Sequence, residues 1–306
     1  MNYVIHTTDL TKNYNEQRAV QNVNLHVRSG EIYGLLGRNG AGKTTIMKML
    51  LGLTSVTSGE FALFGSPMTE FSSKVYERIG NIIETPGFYP SLTGTENLQV
   101  FARLKGMASP SAIQDALNFV TLPYRDKKPF SNYSLGMKQR LGIANALMND
   151  PELLILDEPT NGLDPIGIAE VRTLIKDLAV SKGKTILISS HQLSEIEQIV
   201  DTIGIIHEGV LLEECNMKEI SRFNQRYICI EVSDTQKAAL LLEQKLDIKE
   251  YTVISPDTIK IYDFTHTPQT INGLFCRSGL EVSALSINTG NLEEHFKTIT
   301  GGVGIA

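Results

Sequence analysis

No stretch of this sequence approaches the roughly 18–20 consecutive apolar residues that a membrane-spanning helix needs, so the chain is not expected to cross a bilayer itself. Its first residues, MNYVIHTTDLTKNY, lack the basic start and apolar core of a secretory signal. Cysteine is scarce. Cys215, Cys229 and Cys276 are odd in number and far apart, which argues against a disulfide frame or a thiolate metal site and fits reduced thiols in cytosol. Positive charge is not in excess either: the formal net charge is -6, which offers no basic surface to nucleic acid. Low-complexity tracts and short-period repeats are absent. A soluble chain of the cytosol is therefore the starting expectation.

Hydrophobic residues make up 42% of the 306, enough for one large core or two smaller ones, and this length suggests about two domains. VNLHV (Val23 to Val27) alternates like a half-buried strand. IYGLL, LLIL and TILIS are continuous apolar runs, as fully buried strands are, and helical patterns such as KQRLGIANALM and IAEVRTLIKDLAV lie between them. Strands alternating with helices argue for an α/β fold with a mostly parallel sheet. After about Met217 the texture changes. YICIEV, TQKAALLLEQKL, YTVIS, TIKIY, PQTINGLFC, LEVSALSI and NLEEHFKTI read as a small α/β unit of βαββαβ order with a last helix. The linker is expected around Glu213 to Arg222.

GRNGAGKT, from Gly37 to Thr44, fits G-x-x-x-x-G-K-[ST] and stands between a strand and a helix, the context that gives this motif its meaning. Gly37, Gly40 and Gly42, with Arg38, Asn39 and Ala41 between them, let the backbone turn tightly and aim its N–H groups at an anion. The helix opening at Lys43, Thr44 and Thr45 adds the positive end of its dipole. In this motif the lysine reaches the β- and γ-phosphates of ATP and the hydroxyl after it ligates Mg²⁺. LLILDEP ends a buried run with two acids, where charge is otherwise excluded. Asp157 there is placed to hold Mg²⁺, and Glu158 to act as general base on water. His191 closes another buried strand; it is either structural or a hydrogen-bond partner of phosphate or water. In YSLGMKQR, Ser134 is a good helix N-cap and Gly136 lets backbone approach a ligand, so this is a second helix start suited to an anion. IGNIIETPGFYP ends a strand-like run with Glu84, a carboxylate that at the end of a buried strand requires a cation nearby.

GRNGAGKT, YSLGMKQR, LLILDEP, NGLD (Asn161 to Asp164) and the isolated His191, in this order, resemble the ATP-binding subunits of ABC transporters over roughly residues 3 to 215. The resemblance implies a P-loop ABC cassette in residues 1–217: a mostly parallel sheet core, an antiparallel β part, and a helical subdomain at about 85–150. A small α/β domain would follow in 222–306. It implies that Tyr14 stacks on adenine. It also implies that two cassettes, two copies or one with another cassette, pair head to tail. ATP then lies between the phosphate loop of one and Ser134 and Gly136 of the other, with the Asp164 loop across the same interface. Separately encoded permease subunits would hold the chain at the cytoplasmic face of the membrane. Leu135 and Met137 depart from the usual LSGGQ form, while the serine and one glycine remain. Where most of the family has a glutamine contacting Mg²⁺ and the attacking water, this chain has Glu84. A glutamate there resembles transporters that protect Gram-positive bacteria against lantibiotics, with bacitracin-resistance exporters as close relatives. An exporter of a peptide antibiotic is therefore the leading expectation, ahead of one for another drug or a lipid-linked substrate. A non-transport ABC ATPase is disfavoured by the single phosphate loop and the short interval from Gly42 to Ser134. An importer is disfavoured by the missing large regulatory tail. His266 and His295 are isolated, and the C-terminal unit carries no catalytic constellation.

Overall fold

The computed structural model describes residues 3–15, 17–68, 72–84, 87–106, 110–217 and 226–289. These residues divide into two compact units that part after Met217. In the first unit, an antiparallel sheet runs β2 (Gln17–Val23), β1 (Tyr3–Tyr14), β5 (Ser58–Leu63), β6 (Ser66–Pro67), with β3 (His26–Arg28) also paired to β1. The strand expected over Val23 to Val27 is therefore the junction of two. Asn24 interrupts it, because its side-chain oxygen takes the backbone N–H of Asp9 at 2.9 Å and the pairing with β1 shifts there.

The second sheet has the order β11 (Val210–Asn216), β10 (Thr202–His207), β4 (Ile32–Leu36), β9 (Thr185–Ser190), β8 (Leu153–Leu156), β7 (Ile79–Ile82). Its pairs are parallel except β10 with β11. All residues of β4, β8 and β9 are buried, as expected for strands covered on both faces. Helix α1 (Lys43–Leu50) follows β4 and buries Ile46, Met47, Met49 and Leu50 in a core shared with β1, β3 and β5. Glu213 to Asn216 continue β11 and are not linker.

A short α2 (Ser73–Tyr76) precedes β7. Between β7 and β8 the chain is helical: α3 (Gly94–Leu104), opened by a capping box of Thr93 and Glu96, then α4 (Pro110–Phe119) and α5 (Leu135–Leu147). Helix α6 (Pro165–Lys182) leads into β9, and α7 (Leu193–Ile196) into β10.

The second unit is built from β12 (Arg226–Val232), α8 (Thr235–Leu246), β13 (Tyr251–Ser255), β14 (Thr258–Ile261), α9 (Pro268–Arg277) and β15 (Val282–Thr289). Its antiparallel sheet has the order β13-β14-β12-β15, the split βαβ arrangement of ferredoxin-like units. Ile228, Ile230, Ile259, Ile261, Leu242 and Phe275 close a core of its own. The last helix expected from the sequence, NLEEHFKTI, lies outside the described residues, as does His295.

Candidate active site

Strands β4, β9 and β8 lie side by side and parallel, so the loops at their carboxyl ends share one rim of the sheet. The phosphate loop leaves β4, Asp157 and Glu158 leave β8, and His191 leaves β9. Sequence order separates them; strand order brings them together. Gly42 caps α1 with φ 109°, and a side chain there would meet the carbonyl oxygen of Ala19 at 2.7 Å, so only glycine lets the loop close against β2.

Lys43 is held inside this loop. Its side chain is 5% exposed, and Nζ donates to the carbonyl oxygens of Gly37 at 2.6 Å and Arg38 at 3.1 Å. Nζ also lies 3.1 Å from Glu158 Oε1. The other oxygen of that carboxylate, Oε2, meets His191 Nδ1 at 2.5 Å. Glu158 thus joins the lysine of the phosphate loop to the histidine of β9. An incoming phosphate must take this lysine from a carboxylate, so the anion and Glu158 compete for Lys43.

Asp157 is buried. Thr44 Oγ1 donates to its Oδ2 at 2.7 Å and Ser189 Oγ to its Oδ1 at 2.6 Å. The same serine oxygen accepts the backbone N–H of Glu158 at 2.8 Å. Leu156 is level with Ile188, so Ser189 falls opposite Asp157 by strand register. Sequence reasoning missed Ser189 because no local pattern shows which strand neighbours β8.

A cleft of about 610 Å³ opens in front of these groups and is lined by Tyr14, Asn39, Gly40, Gly42, Lys43, Thr44, Thr45 and Glu158. Tyr14 is half exposed, with Lys12 Nζ 4.9 Å from its ring centre. Gln17, Arg18, Asn161 and Glu208 also line the cleft. Of these, Gln17 and Arg18 had one signal in the sequence, their nearness to Tyr14. Arg38 and Ala41 turn to an adjoining recess with His207 and Glu208.

Ser134, Gly136 and Asp164 do not line this cleft. They adjoin one another instead. A side chain on Gly162 would come within 3.1 Å of Leu135, and one on Gly136 would lie 4.0 Å from Leu163. Ser134 caps α5 by accepting the N–H of Met137 at 3.3 Å, and Asp164 caps α6 by accepting that of Gly167 at 2.8 Å. Leu135 between them is half exposed.

The sequence argument for Glu84 rested on burial, and the structure overturns that premise. The carboxylate lies two residues past the end of β7, on left-handed backbone with φ 61°, and its side chain is 67% exposed. Lys48 Nζ of α1 holds it at 2.7 Å, and this bond keeps the Glu84 carboxyl below its ordinary range.

A phosphate loop with a buried lysine, a hydroxyl–carboxylate pair beside it, and a carboxylate–histidine pair at the rim of a parallel sheet define a P-loop nucleotide hydrolase. The comparisons narrow the class. The pattern of the ABC transporter family matches residues 20–161. The bacitracin transport ATP-binding protein BcrA of Enterococcus faecalis is 53% identical over 306 residues, covering 100% of this chain and 99% of that protein. The lantibiotic transport ATP-binding protein SrtF of Streptococcus pyogenes is 50% identical over 206 residues, 67% of this chain and 88% of that one. A solved ATP-binding cassette, a dimer in a post-hydrolysis state bound to ADP and Pi, superposes with a TM-score of 0.63 at 25% identity, covering 70% of this chain and 98% of its own. The chain belongs to the family of ABC transporter ATP-binding subunits, binds ATP, and couples its hydrolysis to transport. No helix among the described residues is long and apolar enough to cross a membrane.

Proposed function

We propose that this chain powers export of a peptide antibiotic, bacitracin or a lantibiotic, and so protects the cell that makes it. The length of the likeness carries this reading: similarity to a bacitracin transport subunit runs through all 306 residues, the C-terminal unit included. Lys43 binds the β- and γ-phosphates, Tyr14 stacks on adenine, Glu158 takes the proton of the attacking water, and His191 orients Glu158 and the phosphate. Ser134, Gly136 and the Asp164 loop complete the site of a second cassette paired head to tail. Their place outside the cleft of their own chain supports this role.

Mg²⁺ suits the oxygens present. The Thr44 hydroxyl and the Asp157 carboxylate are hard donors 2.7 Å apart. This ion keeps several waters and usually takes one or two carboxylates beside substrate phosphates. When bound, the ion neutralises charge on the phosphates. Glu84 offers one more oxygen once Lys48 releases it. Residues 1–217 are the ATP-binding domain and 222–306 a separate C-terminal domain. Membrane permease subunits hold the pair at the cytoplasmic face.

The test is to express the chain with its permease in a sensitive Gram-positive host and measure survival in bacitracin and in a nisin-like lantibiotic. Protection against one and not the other names the substrate class. Protection that persists with Glu158→Gln, or none against either compound, refutes the reading.

A further inference from the structure

Behind the carboxylate–histidine pair lies a second acid that the proposed mechanism does not use. Glu195, on α7, is 6% exposed. Its Oε2 accepts from Thr160 Oγ1 at 2.7 Å and from Ser190 Oγ at 3.1 Å. Ser190 directly precedes His191. Thr160 stands two residues beyond Glu158, at the start of the loop that runs to Asp164. The Ser190 oxygen accepts the N–H of Gln192 at 2.9 Å, so its single proton is available for the carboxylate, a stronger acceptor than the Gln192 carbonyl at 3.0 Å. Among the described residues Glu195 has no ionic partner, and it does not line the nucleotide cleft.

A buried carboxylate without a cation costs free energy, and its hydroxyl partners offset that cost only while both stay in reach. Each loop is therefore held in place by the penalty of leaving the charge unsatisfied. On one side, Glu158 and His191 touch directly. On the other, Thr160 and Ser190 are drawn together through Glu195. The two connections close a ring around the pair. Loading of phosphate on Lys43 removes the lysine from Glu158 and leaves His191 as its restraint. The tether behind His191 then decides whether the base stays in line.

We propose that Glu195 is a positioning residue that ties the Thr160–Asp164 loop to the loop of His191 and so holds Glu158 and His191 opposed during hydrolysis. The proposal rests on the roles given to those two residues above. It requires that Glu195 act through His191 and leave ATP affinity alone.

The experiment uses the full chain and measures ATP turnover, ATP affinity and melting temperature for Glu195→Ala, Glu195→Gln, Thr160→Val, His191→Ala and the double variant Glu195→Ala/His191→Ala. Misplacement of a reacting group by an ångström costs about 10²-fold in rate. A fall in kcat of about 10–10²-fold is therefore expected for Glu195→Ala, with ATP affinity within about threefold of wild type. Glu195→Gln keeps one acceptor oxygen and recovers part of that loss. In the His191→Ala background, Glu195→Ala lowers kcat by no more than about twofold further, because coupled positions are non-additive. A wild-type kcat for Glu195→Ala overturns the proposal, as does a full multiplicative loss in the double variant. Should Glu195→Ala fail to fold, Thr160→Val serves instead: reduced kcat at unchanged affinity supports the tether, and unchanged kcat refutes it. Normal turnover by His191→Ala alone refutes the reading of the site itself, a different failure from additivity in a background where His191 matters.

Discussion

Glu84 shows how a residue argument turns on exposure. An exposed carboxylate beside Lys48 carries its charge at little cost, so no metal ion is needed to explain it. Because Lys48 holds this carboxyl below its ordinary value, the pair is intact at neutral pH and is lost as pH falls through the folded-state value. Lys48→Met is expected to return the Glu84 titration, followed by carboxyl NMR shifts, upward to the ordinary carboxylate range; an unchanged titration would remove Lys48 as the cause. Glu84→Gln is expected to preserve ATP turnover and lower protection of cells, which assigns the charge to coupling with the permease. Lost turnover would assign it to catalysis. For Glu158, replacement by Gln removes both the base and the competitor for Lys43. Turnover is expected to fall about 10²–10⁴-fold, with ATP affinity, measured by calorimetry, no weaker than wild type.

At the scale of elements, two helix starts carry the chemistry in different ways. Helix α1 opens on a backbone that only glycine tolerates, and Gly42→Ala should cost on the order of 1–3 kcal/mol of strain and abolish ATP binding, both readable from thermal unfolding with and without nucleotide. Helix α5 opens on a side-chain cap. Ser134→Ala should cost about 0.5–2 kcal/mol of stability while the isolated chain still binds ATP, and turnover of the pair should fall. Both helix starts were legible in the sequence, because loop glycines, a capping serine and a following apolar helix are local patterns. The continuous runs of β4, β8 and β9 were legible for the same reason. The break at Asn24 was not, since it depends on Asp9, fifteen residues away, through the contact from Asp9 N to the Asn24 side chain.

On the scale of the whole molecule, each unit encloses its own apolar core: Val4, Leu35, Met47 and their neighbours in the first, Ile228, Ile259 and Phe275 in the second. A chain without residues 222–306 is therefore expected to fold and to bind ATP with unchanged affinity. A well-folded truncation that has lost all affinity would contradict this. The βαββαβ order of the second unit was readable from alternating runs, and its strand order was not, because pairing in a sheet is set by contacts distant in sequence.

The sequence by itself determined the phosphate loop, the acids at the end of β8, the cap of α5 and the alternation of strands and helices. Spacing along the chain specifies all of these through backbone geometry and burial. Only the tertiary structure decided which groups meet. The order β4-β9-β8 sets Lys43 against Glu158, Glu158 against His191, and Ser189 against Asp157. The tertiary structure also sets Lys48 against Glu84 and buries Glu195 between Thr160 and Ser190. These are hydrogen bonds and ion pairs between residues far apart in the chain, and their energy depends on distance in space, which no local pattern of residues encodes.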